Sequence, residues 1–184
     1  DITDRATSPV AVPADVDIAI LINGGTASSS EILTAALSEN DRAITVGSTS
    51  FGKGISQEVR PFSEGYIQVT TGHFFTPDGN DIHEKGIEPD YIVEEEEYSD
   101  EEMEAYEEFM KENPFSSYIE EYPEYSAENI ERFAQMHSDS GVPQSLLKLL
   151  IRNEYLFQLD YDMRPIADPD YDETLRKAME ILSV

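Results

Sequence analysis

Apolar residues come in short bursts through the first half of the chain and at helical spacing through the second. Residues 16–23 read Val-Asp-Ile-Ala-Ile-Leu-Ile-Asn, a run of strand length rich in β-branched side chains, and Gly24-Gly25 ends it. The following pattern predicts a helix over 28–39 with Ile32, Leu33, Ala36 and Leu37 on one face. Residues 43–47 predict a second buried strand, and strand–helix–strand is the order of a parallel α/β layer. Further on, 55–60, 66–71 and 73–76 gather β-formers around the turns Ser63-Glu64-Gly65 and Pro77-Asp78-Gly79-Asn80. These predict antiparallel hairpins leaning on the α/β core. Residues 87–93, with Pro89 at the edge, predict a last short strand.

From Glu94 the period changes. Ser99 with Glu102 three residues later makes a capping box, followed by the stripe Met103, Tyr106, Phe109 and Met110. A second helix begins at Ser126 and carries Ile130, Phe133 and Ala134. A third begins at Pro143 with Leu146, Leu147, Leu149, Leu150 and Ile151, and a last one covers about 170–182. None is apolar all round, so each needs a surface to pack against. The chain divides into an irregular lead-in (1–15), an α/β portion (16–93), and an acidic helical region with a closing helix packed on the core (94–184).

Charge narrows the list of partners. With 39 acidic residues against 12 basic ones, the formal net charge of −27 would repel a phosphate backbone, so nucleic acid is not expected. An anionic membrane surface is disfavoured for the same reason. The absence of cysteine from the 184 residues removes disulfides, thiolate metal sites and a cysteine nucleophile. The chain starts at Asp1, not Met, and reads as a cut piece of something longer.

The chemistry concentrates in two small-residue turns, Gly25-Thr26-Ala27-Ser28-Ser29-Ser30-Glu31-Ile32 and Phe51-Gly52-Lys53-Gly54-Ile55-Ser56-Gln57. Ser28 at a helix start is a candidate nucleophile, because the helix dipole and free N–H groups there stabilise an alkoxide or oxyanion. The Ser29 N–H is the natural oxyanion donor. Lysine removes the serine proton only when neutral, which burial favours, and no acid lies between Gly47 and Gln57 to keep Lys53 charged. On a strand Lys53, Ile55 and Gln57 would share a face, so Gln57 could orient the amine. The plain reading stays open beside this one: Ser28 and Glu31 also form a capping box, and Lys53 between two glycines is ordinary turn chemistry.

These two segments resemble the signature of the carboxyl-terminal processing peptidases, or tail-specific proteases, which are Ser/Lys peptidases. Thr70-Thr71-Gly72-His73-Phe74-Phe75-Thr76-Pro77-Asp78-Gly79 and Ile82-His83-Glu84-Lys85-Gly86-Ile87-Glu88-Pro89-Asp90 extend the likeness over about 16–93. The resemblance implies a ClpP/crotonase-like α/β core, Ser28 as nucleophile, Lys53 as general base and Gln57 orienting it. It also implies endoproteolysis near the unstructured C-termini of polypeptides, in the cell envelope or periplasm, without cofactor. His73 and His83 stand where the family commonly has other polar residues, and both read as structural. The family's PDZ domain and the segment giving a second oxyanion N–H would precede Asp1. Half an oxyanion hole predicts little activity for this piece, since one donor is worth about 100- to 1000-fold. The acidic helices are longer than the family leads one to expect, and a lid, a docking surface or a homo-oligomer contact are their candidate roles. Two other readings stand beside the peptidase: a non-catalytic binding relative, and a crotonase-like acyl-CoA enzyme, for which no basic CoA patch exists.

Overall fold

A computed structural model describes residues 12–94 and 96–183. Most of the predicted lead-in, residues 1–11, therefore lies outside the described residues, and 12–15 enter through a turn. The chain forms two compact units, Asp1–Glu95 with Asp172–Val184, and Glu96–Tyr171.

The first unit is built on β1 (Ala19–Ile22), α1 (Ser29–Ser38) and β2 (Ile44–Gly47), followed by β3 (Ile55–Phe62), β4 (Gly65–His73) and β5 (Tyr91–Ile92). β1 and β2 pair in parallel, Ala19 opposite Ile44 and Ile22 opposite Gly47. β5 pairs in parallel with the far side of β2, giving the order β1-β2-β5. The central position of β2 is visible in its burial: Thr45, Val46 and Gly47 are all buried. Buried Thr45 is tied to the segment before β5, its N–H and hydroxyl 2.7 and 2.8 Å from Asp90 Oδ2. β3 and β4 form the expected antiparallel hairpin. The second expected hairpin shrinks to a single bridge between Phe75 and Asp81.

The buried face of α1 differs from the predicted one. Ile32 and Leu33 are exposed, and the helix buries Glu31, Thr34 and Ala35 instead. The reason lies in the loops it meets: they offer hydrogen-bond donors, which a carboxylate can satisfy and an aliphatic side chain cannot.

The second unit contains α2 (Asp100–Glu112), α3 (Phe115–Glu121), α4 (Ala127–Met136) and α5 (Gln144–Gln158), with a 3-10 turn at Tyr161–Met163. Ser99 caps α2 as its box pattern predicts, accepting from the Glu102 N–H while Glu102 Oε2 accepts from the Ser99 N–H at 2.8 Å. Ser126 caps α4. α3 was not predicted; it is seven residues long, starts after Pro114 and has no side-chain cap to announce it. Phe109, Phe115, Tyr118, Ile130, Phe133, Leu147 and Ile151 make one aromatic and aliphatic core. The closing helix α6 (Glu173–Leu182) belongs to the first unit and lies against β1 and β2.

Candidate functional site around Ser28, Glu31 and Lys53

Ser28 stands at the turn from β1 into α1 with φ 60° and ψ −118°. A β-carbon disfavours that backbone region, which costs a non-glycine residue on the order of 1–3 kcal/mol and is found where surrounding structure enforces it. A sharp, strained strand-to-helix turn is how a nucleophilic serine is held out from a sheet edge. Ser28 is half-buried and Ser29 exposed. As the first residue of α1, Ser29 carries an N–H with no acceptor inside the helix.

What enforces the turn is Glu31. Its side chain is fully buried, at 0% exposure, yet it is surrounded by donors. Oε1 accepts from Ser50 Oγ at 2.6 Å and from the Gly52 N–H at 2.7 Å. Oε2 accepts from the Ser28 N–H and the Lys53 N–H, each at 2.8 Å. One oxygen atom thus holds the backbone of the candidate nucleophile and the backbone of the candidate base. Burial is the largest influence on this carboxyl and pushes its pKa up. The Ser50 hydroxyl and the N–H groups of Lys53, Gly52 and Ser28 together outweigh it and hold the pKa below the ordinary glutamate value.

The absence of acids between Gly47 and Gln57 therefore did not keep carboxylates away from Lys53. Glu31 arrives from 22 residues upstream, a contact no local window reveals. Lys53 itself is exposed, not buried as a base of this kind requires. The face-sharing expected of Lys53 and Gln57 is also interrupted. β3 starts only at Ile55, and its register shifts between Ser56 and Gln57, so strict alternation fails there. The Gln57 amide works across the hairpin, accepting from Gln68 Nε2 at 2.7 Å and donating to Thr70 Oγ1 at 3.4 Å. The structure joins Ser28, Glu31 and Lys53; Gln57 lies outside that network.

Behind the lysine loop stands the turn 81–86. Gly52 has φ 86°, and a β-carbon there would come within 2.8 Å of Gly86 N and 2.9 Å of Lys85 N. Ser50 and Ile87 exchange two bonds, Ser50 N to Ile87 O at 3.1 Å and Ile87 N to Ser50 Oγ at 2.7 Å. Asp81 Oδ1 accepts the His83 N–H at 2.9 Å and lies 2.8 Å from His73 Nε2. The His83 N–H is the largest influence holding the Asp81 carboxyl below its usual range, with His73 next. Among the described residues no cluster of histidine and carboxylate groups could hold a metal ion.

A parallel strand–helix–strand layer sets a strained serine at the helix start and ties it, through Glu31, to a lysine loop. Residues 3–93 match the model of peptidase family S41. A probable CtpA-like serine protease of Staphylococcus aureus is 45% identical over 85 residues, 46% of this chain and 17% of that protein. A carboxyl-terminal-processing protease of Synechocystis sp. is 48% identical over 82 residues, 44% of this chain and 19% of that protein. Among solved structures, a photosystem II D1 C-terminal processing protease shares 38% identity with a TM-score of 0.41, covering 44% of this chain and 21% of that one. The chain thus spans 17% and 19% of the length of these two curated relatives.

Proposed function

We propose that this chain carries the Ser-Lys dyad of a serine endopeptidase that cleaves polypeptides near their C-termini. The observation that carries the reading is the single Glu31 oxygen shared by the Ser28 and Lys53 amides, on a serine whose backbone is strained. In the proposed reaction Ser28 Oγ attacks the substrate carbonyl as its proton passes to Lys53 Nζ. The resulting oxyanion is stabilised by the Ser29 N–H and the positive end of α1. Collapse of the intermediate breaks the peptide bond, the Lys53 proton leaves with the amine, and water then hydrolyses the acyl-serine. Lys53 and Phe51 are exposed here, Phe51 by 64%, and a substrate chain laid across them would exclude water from the amine. Gln57 has the orienting role when it releases its hairpin partners. The names of the relatives support a processing peptidase; a ClpP/crotonase-like core, an extracytoplasmic location and self-association through the helical unit belong to the same proposal.

The test is turnover of an unstructured polypeptide by the intact protein that contains this chain, against Ser28→Ala and Lys53→Ala. Both substitutions should lower kcat by at least about 1000-fold, the order reported by removal of a triad member. Equal turnover in all three proteins would end the dyad assignment, and no turnover in any of them would transfer the fold to a binding role.

A further inference from the structure

The peptide unit between Gly52 and Lys53 is held at both poles. Its N–H, that of Lys53, donates to Glu31 Oε2 at 2.8 Å from the serine helix. Its carbonyl, that of Gly52, accepts the Glu84 N–H at 2.8 Å and lies 3.3 Å from His83 Nδ1. The Gly54–Ile55 peptide on the far side of the lysine is pinned as well, because the Gly54 carbonyl accepts the Phe74 N–H at 2.7 Å. Gly54 leaves no room for a side chain: a β-carbon would stand 2.7 Å from His83 N and 3.0 Å from His83 Cβ. Glu84 adopts φ 60° to deliver its N–H, a strained conformation in the same turn. Asp81 fixes this turn from below through the His83 N–H, and His73 meets His83 edge-on with ring centroids 5.7 Å apart.

We infer that His83 is a positioning residue for Lys53. Its Nδ1–H, donating to the Gly52 carbonyl, sets the plane of the peptide that leads into the lysine and so the direction in which Lys53 leaves the backbone. Rotating that plane moves Lys53 Nζ, at the end of a four-carbon stem, by far more than it moves the peptide. The imidazole is half-buried and its ring faces backbone and His73, which suits a fixed donor. The inference rests on the dyad proposed above, and its test is separable from the test of that dyad.

The conservative replacements discriminate between the ring nitrogens, because Asn places an N–H near the position of Nδ1 and Gln near that of Nε2. The experiment compares kcat and KM of His83→Leu, His83→Asn and His83→Gln in the intact protein, with thermal unfolding of each. His83→Leu and His83→Gln should lower kcat by about 10- to 100-fold, the cost of a misplaced catalytic group, with KM within about twofold. His83→Asn should recover most of kcat. An Asn variant as slow as Leu, a loss confined to KM, or a kcat loss that only tracks unfolding would overturn the positioning role. If Ser28→Ala and Lys53→Ala are inactive while the whole His83 series matches wild type, the dyad stands and the His83 inference falls. If those two alanine variants keep full turnover, the dyad is at fault instead.

Discussion

The two units solve the same problem with different materials. The unit bearing Ser28 and Lys53 buries only a few apolar side chains, among them Ile22, Ala35, Val46, Ile82 and Ala178, and arranges its loops around one buried carboxylate. The helical unit buries aromatic rings against each other: Phe133 lies 5.5 Å from Phe115, 5.0 Å from Tyr118 and 4.6 Å from His137 by ring centroids. Its polar groups serve that packing. Tyr118 donates to the Asn129 carbonyl at 2.7 Å, and burial pushes the Tyr155 phenol up to about 12. Apolar burial is non-directional and holds elements together, whereas hydrogen bonds fix atoms in place. A site proposed to aim a serine and a lysine has reason to use the second.

The contrast is broken most forcefully in the helical unit. Phe133 is fully buried, and Phe133→Ala removes a ring that touches Phe109, Phe115 and Tyr118. The expected loss is about 4 kcal/mol, as for other buried Phe→Ala changes. Amide exchange should accelerate through α4 and α5 while protection at Gly52 and Lys53 holds. Equal acceleration in both places would mean that the two units unfold as one, and that the division of labour is only apparent.

Glu31→Gln tests the other half at smaller amplitude. Glutamine keeps the shape but turns an N–H₂ toward donors that now need an acceptor, leaving up to two of the four unsatisfied. A loss of about 2 to 3 kcal/mol follows from charged, buried hydrogen bonds of this kind. The pH dependence adds a sign. Because the folded pKa of Glu31 lies below its unfolded value, its contribution is full above the unfolded pKa and fades as pH falls through the folded one. Denaturant midpoints should therefore converge between wild type and Glu31→Gln as the pH drops below about 4. A constant gap down to the acid limit would show that the carboxylate charge is irrelevant and only its shape matters.

How far the sequence announced these arrangements depends on the range of the interaction. The strand–helix–strand layer, the β3–β4 hairpin and the capped starts of α2 and α4 were legible because each rests on residues within a few positions of one another. α3 was not, since seven residues between Pro114 and Tyr122 leave no periodicity to detect. The face of α1 was misread for a better reason. Ile32 and Leu33 satisfy the hydrophobic rule, yet Glu31 is the buried side chain, and donors from residues 50–53 beside the Ser28 N–H make that tolerable. The motif pointed to Ser28 and Lys53 as a pair. It gave Glu31 no part beyond a helix cap, and it gave His83 none beside the lysine loop, because the contacts that define both roles span 19 to 31 residues.

The smallest effect sharpens the comparison best, because two helices open with the same motif. At α2, Ser99 and Glu102 complete a capping box on an exposed surface. At α1, Ser28 and Glu31 share that pattern, but the glutamate is drawn into the network that reaches Lys53. Ser99→Ala should cost about 1 kcal/mol, the ordinary worth of an N-cap, and peptidase turnover should be unchanged. Thermal unfolding with parallel kinetics on the Ser99→Ala and Glu31→Gln proteins decides the point. If both lose stability but only Glu31→Gln loses kcat, one local motif has two jobs in this molecule, set by what lies beyond the helix. Should Ser99→Ala reduce turnover as much as stability, the second unit would have a hand in catalysis that its own packing does not show.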